Sequence, residues 1–186
     1  EMLVVVAIIG LLASLMFPAL SGARQAAFAG KCRGNLRELG QAFSLYATDN
    51  NDWLPKRYDK VATEEPQDWM WYLKGYGVYS SAVLRCQANT YAATGRLGGV
   101  TSYAIHTGLR DLGGPIRRVL YTPLTKTGLL VDGTANWIKD TQPTRVAKVH
   151  PKESANILYL DWHVASYQPD GNLEEFFYFY MNPPSP

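Results

Sequence analysis

The hydrophobic pattern changes character along the chain. Residues 2–20, MLVVVAIIGLLASLMFPAL, carry no charge and follow a single acid, Glu1. Their apolar positions fall on every side of a helix, so this is not an ordinary amphipathic surface helix. At ~1.5 Å per residue, 19 residues approach the ~30 Å hydrocarbon core of a bilayer. A cleaved signal peptide would want a basic front, a shorter apolar core and a small-x-small cleavage site. A buried core helix would usually be shorter. A membrane-spanning or membrane-parked helix fits best. Gly10, Ser14 and Pro18 weaken the run, because glycine is a poor helix former and Pro18 removes the amide bond back to Ser14. The helix is therefore predicted to be kinked or partly unwound between Gly10 and Pro18.

Beyond Pro18 the period sharpens to one stripe. Phe28, Cys32, Leu36, Leu39, Phe43 and Tyr46 recur at spacings of four and three, while Arg24, Lys31, Arg33, Arg37, Glu38 and Gln41 mostly fall off that stripe. This second half of the helix should stop near the Asx-rich run 49–52, ahead of Pro55. Small residues in this half, Gly22, Gly30, Gly34 and Gly40 among them, would let another helix or a sheet approach closely. Residues 53–100 are mixed, with one short helix expected around 69–76. From about residue 100 the pattern is strand-like, with candidates at 100–105, 118–121, 128–132, 156–160 and 163–167. The last two, split by Asp161 and Trp162, read as a β-hairpin. The prediction is an α+β fold: a long N-terminal helix packed through its stripe against a C-terminal antiparallel β-sheet head. The division expected is 1–22 as membrane or filament-core helix and 23–186 as globular head, including the amphipathic half of the helix.

Charge and candidate chemistry refine this only modestly. Lys plus Arg total 18 against 16 Asp plus Glu, a net charge of +2, so the basic excess of a dedicated nucleic-acid binder is missing. The two cysteines, Cys32 and Cys86, fit one disulfide in an oxidising compartment, with two separate buried thiols as the alternative. His150, Asp161 and His163 carry metal-ligand and acid–base chemistry, but no fourth ligand is evident, and a hydrogen-bond network is the simpler expectation. The run 49–52 offers oxygen ligands of the kind calcium takes, in a spacing that matches no calcium loop; no cofactor is expected. There is no Gly-x-Ser-x-Gly elbow, no Gly-x-Gly-x-x-Gly and no phosphate loop, so no enzyme is expected.

The run from Glu1 to Ala13, followed by Pro18, Ala19 and Leu20, resembles the N-terminus of type IV pilins and type II secretion pseudopilins. In that family the mature protein usually begins with Phe-Thr-Leu-Ile or similar and then this glutamate, so Glu1 resembles the family's fifth-position acid. Residues 32–42, 46–52 and 54–55 resemble one branch of the family, prepilin-like proteins with a C-terminal signature of histidine, nine residues, then Asp-Gly. Here His150 and Asp161 stand for that signature, with ten residues between them and Trp162 in place of the glycine. The resemblance implies a fimbrium-like filament subunit with a methylated N-terminus that polymerises with copies of itself. It also implies an inner-membrane stage with a periplasmic head, and handling by pilus or type II secretion assembly machinery. Glu1 would be neutralised by the N-terminal amine of an adjacent subunit, and Gly10 and Pro18 would bound the segment that unwinds on packing. Alternatives are a minor pseudopilin, or a membrane-tethered module that grips polysaccharide or DNA through Trp53, Trp69, Trp71, Trp137 and Trp162. A metalloenzyme is the most distant alternative.

Overall fold

The computed structural model describes residues 2–55, 58–59, 67–78, 82–90, 93–94, 100–106, 117–118, 123–135, 137–138 and 145–168. A helix, α1, spans Met2–Asp49, roughly 72 Å at the usual rise. The helix continues through Gly10 and Pro18 and is not unwound between them. Proline deletes a single amide and its fixed φ is itself helical, so the weak points do not unwind the isolated chain. The Ser14 hydroxyl donates to the Leu11 carbonyl at 2.8 Å. At the far end Asn51 and Asp52 take positive φ values of 52° and 65°, a conformation that Asx side chains tolerate. The Asp52 amide then donates to the Ala47 carbonyl at 2.7 Å and closes the helix.

The expected stripe is the face that packs. Cys32, Leu36, Leu39 and Phe43 are wholly buried, and Phe28 and Tyr46 are half-buried at its two ends. Phe43 stacks on Trp69, ring centroids 5.7 Å apart. Trp69 opens a short helix, α2 (Trp69–Tyr72), followed by a 3₁₀ turn at Lys74–Tyr76, where one short helix was expected.

Two small two-stranded ladders, β1 (Tyr58–Asp59) with β2 (Gln67–Asp68) and β3 (Ala93–Thr94) with β4 (Val100–Thr101), precede the main sheet in sequence. The main sheet contains β5 (Tyr103–His106), β6 (Gly128–Asp132), β7 (Trp137–Ile138), β8 (Ala155–Tyr159) and β9 (Val164–Tyr167), in the order β7-β5-β6-β8-β9. Four of its strands are antiparallel neighbours, as expected. The fifth, β7, runs parallel to β5 and was not foreseen, since two residues carry no period. The segment 118–121 does not form the expected strand as far as it is described: Arg117 makes one isolated bridge to Trp53, and 119–121 lie outside the described residues.

Side chains alternate across the sheet. Tyr103, Ile105, Leu130 and Leu158 join the helix-side core. Ala104, Val131, Ala155 and Ile157 form a second core with Ile138 and Val146. A register shift between Gly128 and Leu130 breaks strict alternation, and this lets both Leu129 and Leu130 enter the helix-side core. α1 lies so close to β8 that a Cβ on Gly40 would stand 2.9 Å from Leu158 Cδ1. At Gly10, Gly22, Gly30 and Gly34 a Cβ would meet nothing within 4 Å.

Candidate functional site

Two features stand out from a well-packed head. The first is the front of α1. Met2, Leu3, Leu12, Leu15, Met16 and Phe17 are each more than half exposed, as are the other large apolar side chains of the segment. From residue 2 to Ala27 no described side chain is buried. This is a helix long and apolar enough to cross a membrane, and none of its apolar window is covered by its own chain. Gly10 lies on this exposed rod, and Pro18 lies within its helical backbone. Glu1 lies outside the described residues. The cost of leaving such a surface in water, ~25 cal/mol per Å² of apolar area, makes a covering environment necessary.

The second feature is polar and buried. A disulfide joins Cys32 on α1 to Cys86, across 54 residues of sequence, with a Cα–Cα distance of 5.0 Å. His150 Nε2 lies 3.6 Å from Cys86 Sγ and 2.9 Å from Asp132 Oδ2. The same carboxylate oxygen accepts from the Asn156 amide at 2.7 Å and from Asn156 Nδ2 at 3.0 Å. Asp132 Oδ1 and His150 Nδ1 have no hydrogen-bond partner among the described residues. Tyr103 donates to the Cys32 carbonyl at 3.4 Å; burial first, then the Asp132 carboxylate, holds its phenol well above the usual range. Asn35 ties the helix to the disulfide-bearing segment, donating to the Ala82 and Arg85 carbonyls at 3.2 and 2.8 Å.

Cysteine, histidine and aspartate here do not form a nucleophilic relay. A relay uses the two imidazole nitrogens on different partners, and His150 meets both Cys86 and Asp132 through Nε2.

The two signature residues are not brought together. His150 enters the buried cluster, whereas Asp161 sits in the β8–β9 turn and accepts from the amide and pairs with the ring of His163. That ring stacks on Tyr159 at 4.3 Å. Trp162, where the resembled signature has glycine, takes φ 74°. Its ring lies under the Arg118 guanidinium at 5.1 Å. Arg118 also pairs with Asp52 at 2.8 Å and donates to the Leu160 carbonyl. The hairpin turn is thereby tied to the end of α1, and Asp52 of the candidate calcium run is held in an ion pair. Of the candidate binding tryptophans, Trp69 is core and Trp71 is exposed. Trp53 lies 6.0 Å from the Arg117 guanidinium, and the side chain of Trp137 is not described.

Asp132 was missed by sequence reasoning. The available signal was an acid closing the otherwise apolar strand GLLVD: a carboxylate carried into a core needs a partner.

The architecture defined so far is an α+β head on a helix whose front half it leaves uncovered. No family model matches the chain, and comparison with curated proteins and with solved structures finds no match.

Proposed function

We propose that this protein is a structural subunit of a type IV pilus-like or pseudopilus filament, polymerising through the front half of α1. The observation that carries the reading is one continuous helix with two fates. Its rear stripe is sealed against a sheet, and no described side chain of its front part, 2–27, is buried. A rod of that kind needs lipid before assembly and other copies of itself afterwards, so apolar burial moves from one partner to the other without passing through water. The uncovered Gly10, Gly22, Gly30 and Gly34 suit close helix–helix approach in a filament core. The disulfide agrees with a head folded outside the cytoplasm. In this reading the head faces the periplasm while the rod sits in the inner membrane, and the polymer is handled by pilus or type II secretion machinery. The end state is an extracellular filament. Glu1 meets the N-terminal amine of a neighbouring subunit.

The test is recovery of the protein from its cells. A homopolymer in the sheared extracellular fraction, visible as filaments by electron microscopy, is expected, with a detergent-requiring membrane pool before assembly. Glu1→Ala is expected to reduce filament number sharply. A freely soluble monomer as the natural form would sink the proposal, and unchanged filaments from Glu1→Ala would remove the role given to Glu1.

A further inference from the structure

Three distant stretches meet at one buried point, of which the filament reading uses only the disulfide. Cys32 comes from the packed half of α1, Cys86 from the 82–90 segment, and His150 from the residue preceding the Pro151–Glu153 turn. The two sulfurs and a ring nitrogen lie within 4.8 Å of one another. Two thiolates and an imidazole are the donor set preferred by zinc and similar thiophilic divalent cations. The spacing suits such an ion. Metal–sulfur bonds of about 2.3 Å and metal–nitrogen bonds of about 2.0 Å at a tetrahedral angle hold sulfur and nitrogen about 3.5 Å apart, and Cys86 Sγ stands 3.6 Å from His150 Nε2.

We propose that the head, when its disulfide is reduced, binds one thiophilic divalent cation through Cys32, Cys86 and His150, so that disulfide and metal are alternative occupants of one site. A second observation points the same way. The Asp132 carboxylate is fully buried and lies 2.9 Å from the ligating nitrogen, and its Oδ1 has no hydrogen-bond partner among the described residues. It supplies negative charge beside the cation and is the nearest anionic donor for a fourth position. The two bonds from Asn156 hold it in place, as outer partners commonly do for metal ligands. Entry is from a cleft of about 430 Å³ bounded by Phe28, Gln87, Lys148 and Glu153, which reaches His150.

The switch balances as follows. A dithiol delivers two electrons and two protons to the Cys32–Cys86 bond and leaves as its own disulfide. The two thiols then release two protons to solvent as their sulfurs bind the cation. The proton that His150 Nε2 shares with Asp132 passes to Nδ1, which has no other partner among the described residues, so that Nε2 gives up that bond and its lone pair becomes available to the ion. The loaded state belongs to the chain before oxidation, and forming the disulfide expels the ion.

The experiment uses the full chain in detergent micelles, reduced anaerobically with a phosphine and titrated with cobalt(II). One cobalt per chain is expected, with thiolate-to-cobalt charge-transfer absorption that zinc abolishes. The oxidised chain is expected to show none. Cys32→Ser should remove the charge-transfer band, and His150→Gln and Asp132→Asn should each weaken binding by about tenfold or more. Absence of the band in the reduced wild type, or equal affinity in His150→Gln, would overturn the site. A readout that needs no variant is the ring resonance of His150. It should move when zinc is added to the reduced wild type and stay fixed in the oxidised chain, and a resonance that ignores zinc in the reduced chain also overturns the proposal. Because these results concern the head alone, they stand or fall independently of filament formation.

Discussion

His106 sits in β5 with 2% of its surface exposed, and burial lowers its pKa from 6.5 to about 4. The unfolded chain takes up this proton near pH 6.5, whereas the folded chain resists it until about pH 4. Between those values the unfolded state binds more protons, so stability falls as pH falls. Above pH 6.5 nothing is lost, and by the time pH 4 is reached the loss amounts to on the order of 3 kcal/mol. Urea unfolding across this window should show the slope, and His106→Gln should flatten it whatever it does to absolute stability. A neighbouring position tests packing. A Cβ on Gly133 would stand 2.5 Å from Ala104 Cβ and 3.1 Å from the Ala104 amide nitrogen, much of it unyielding backbone. Gly133→Ala is therefore expected to cost about 1–3 kcal/mol through overpacking. On α1, Gly30 has open space, and Gly30→Ala should gain up to about 1 kcal/mol from helix propensity. Thermal unfolding of the two variants side by side distinguishes a crowded glycine from a merely small one.

At the scale of the element, α1 is one helix under two sets of rules. Its rear half is stabilised by tertiary burial, so Leu36→Ala, at a site with no exposed surface, should cost about 2–5 kcal/mol of head stability. Among the described residues, 2–20 bury no side chain against the head. Leu12→Lys should leave head unfolding unchanged while costing about 2.5–3.5 kcal/mol of membrane insertion. Membrane partitioning measured beside a melting curve separates the two effects. Overlapping behaviour of the two variants would mean that the front half packs on its own head. The stripe from Phe28 to Tyr46 was legible in the sequence because a 3.6-residue period survives wherever one face is buried and the other wet. The hairpin of β8 and β9 was legible for the analogous reason, although its bounds moved by a residue. β7 was not, because a two-residue parallel strand has neither a period nor a turn signal of its own.

At the scale of the whole molecule, the chain is fastened across long sequence distances. The Cys32–Cys86 disulfide closes a loop of 54 residues between α1 and a stretch with little regular structure, and Arg118 joins the end of α1 to the β8–β9 turn. Constraining a loop of that length stabilises by about 4 kcal/mol on the chain-entropy account. Cys86→Ser should lower the melting temperature of the head substantially, while the front of α1 keeps its partitioning into membranes, since no contact joins the disulfide to residues 2–20 among those described. Calorimetry in detergent, with and without the substitution, checks both halves of that statement.

The sequence by itself determined the secondary-structure class, the two-part helix and the need for something to cover residues 2–20, because those follow from charge, period and length read locally. It also limited the disulfide to a single pairing, since there are only two cysteines. Only the tertiary structure decided where the polar chemistry goes. The signature pair His150 and Asp161 is near in sequence and separated in space, while His150 finds Asp132 from another strand and Cys86 from another segment. No local pattern encodes such a meeting. It arises because a β-sheet lays strands β6 and β8 side by side across more than twenty residues of chain, and a buried carboxylate takes whichever donors that arrangement brings within reach.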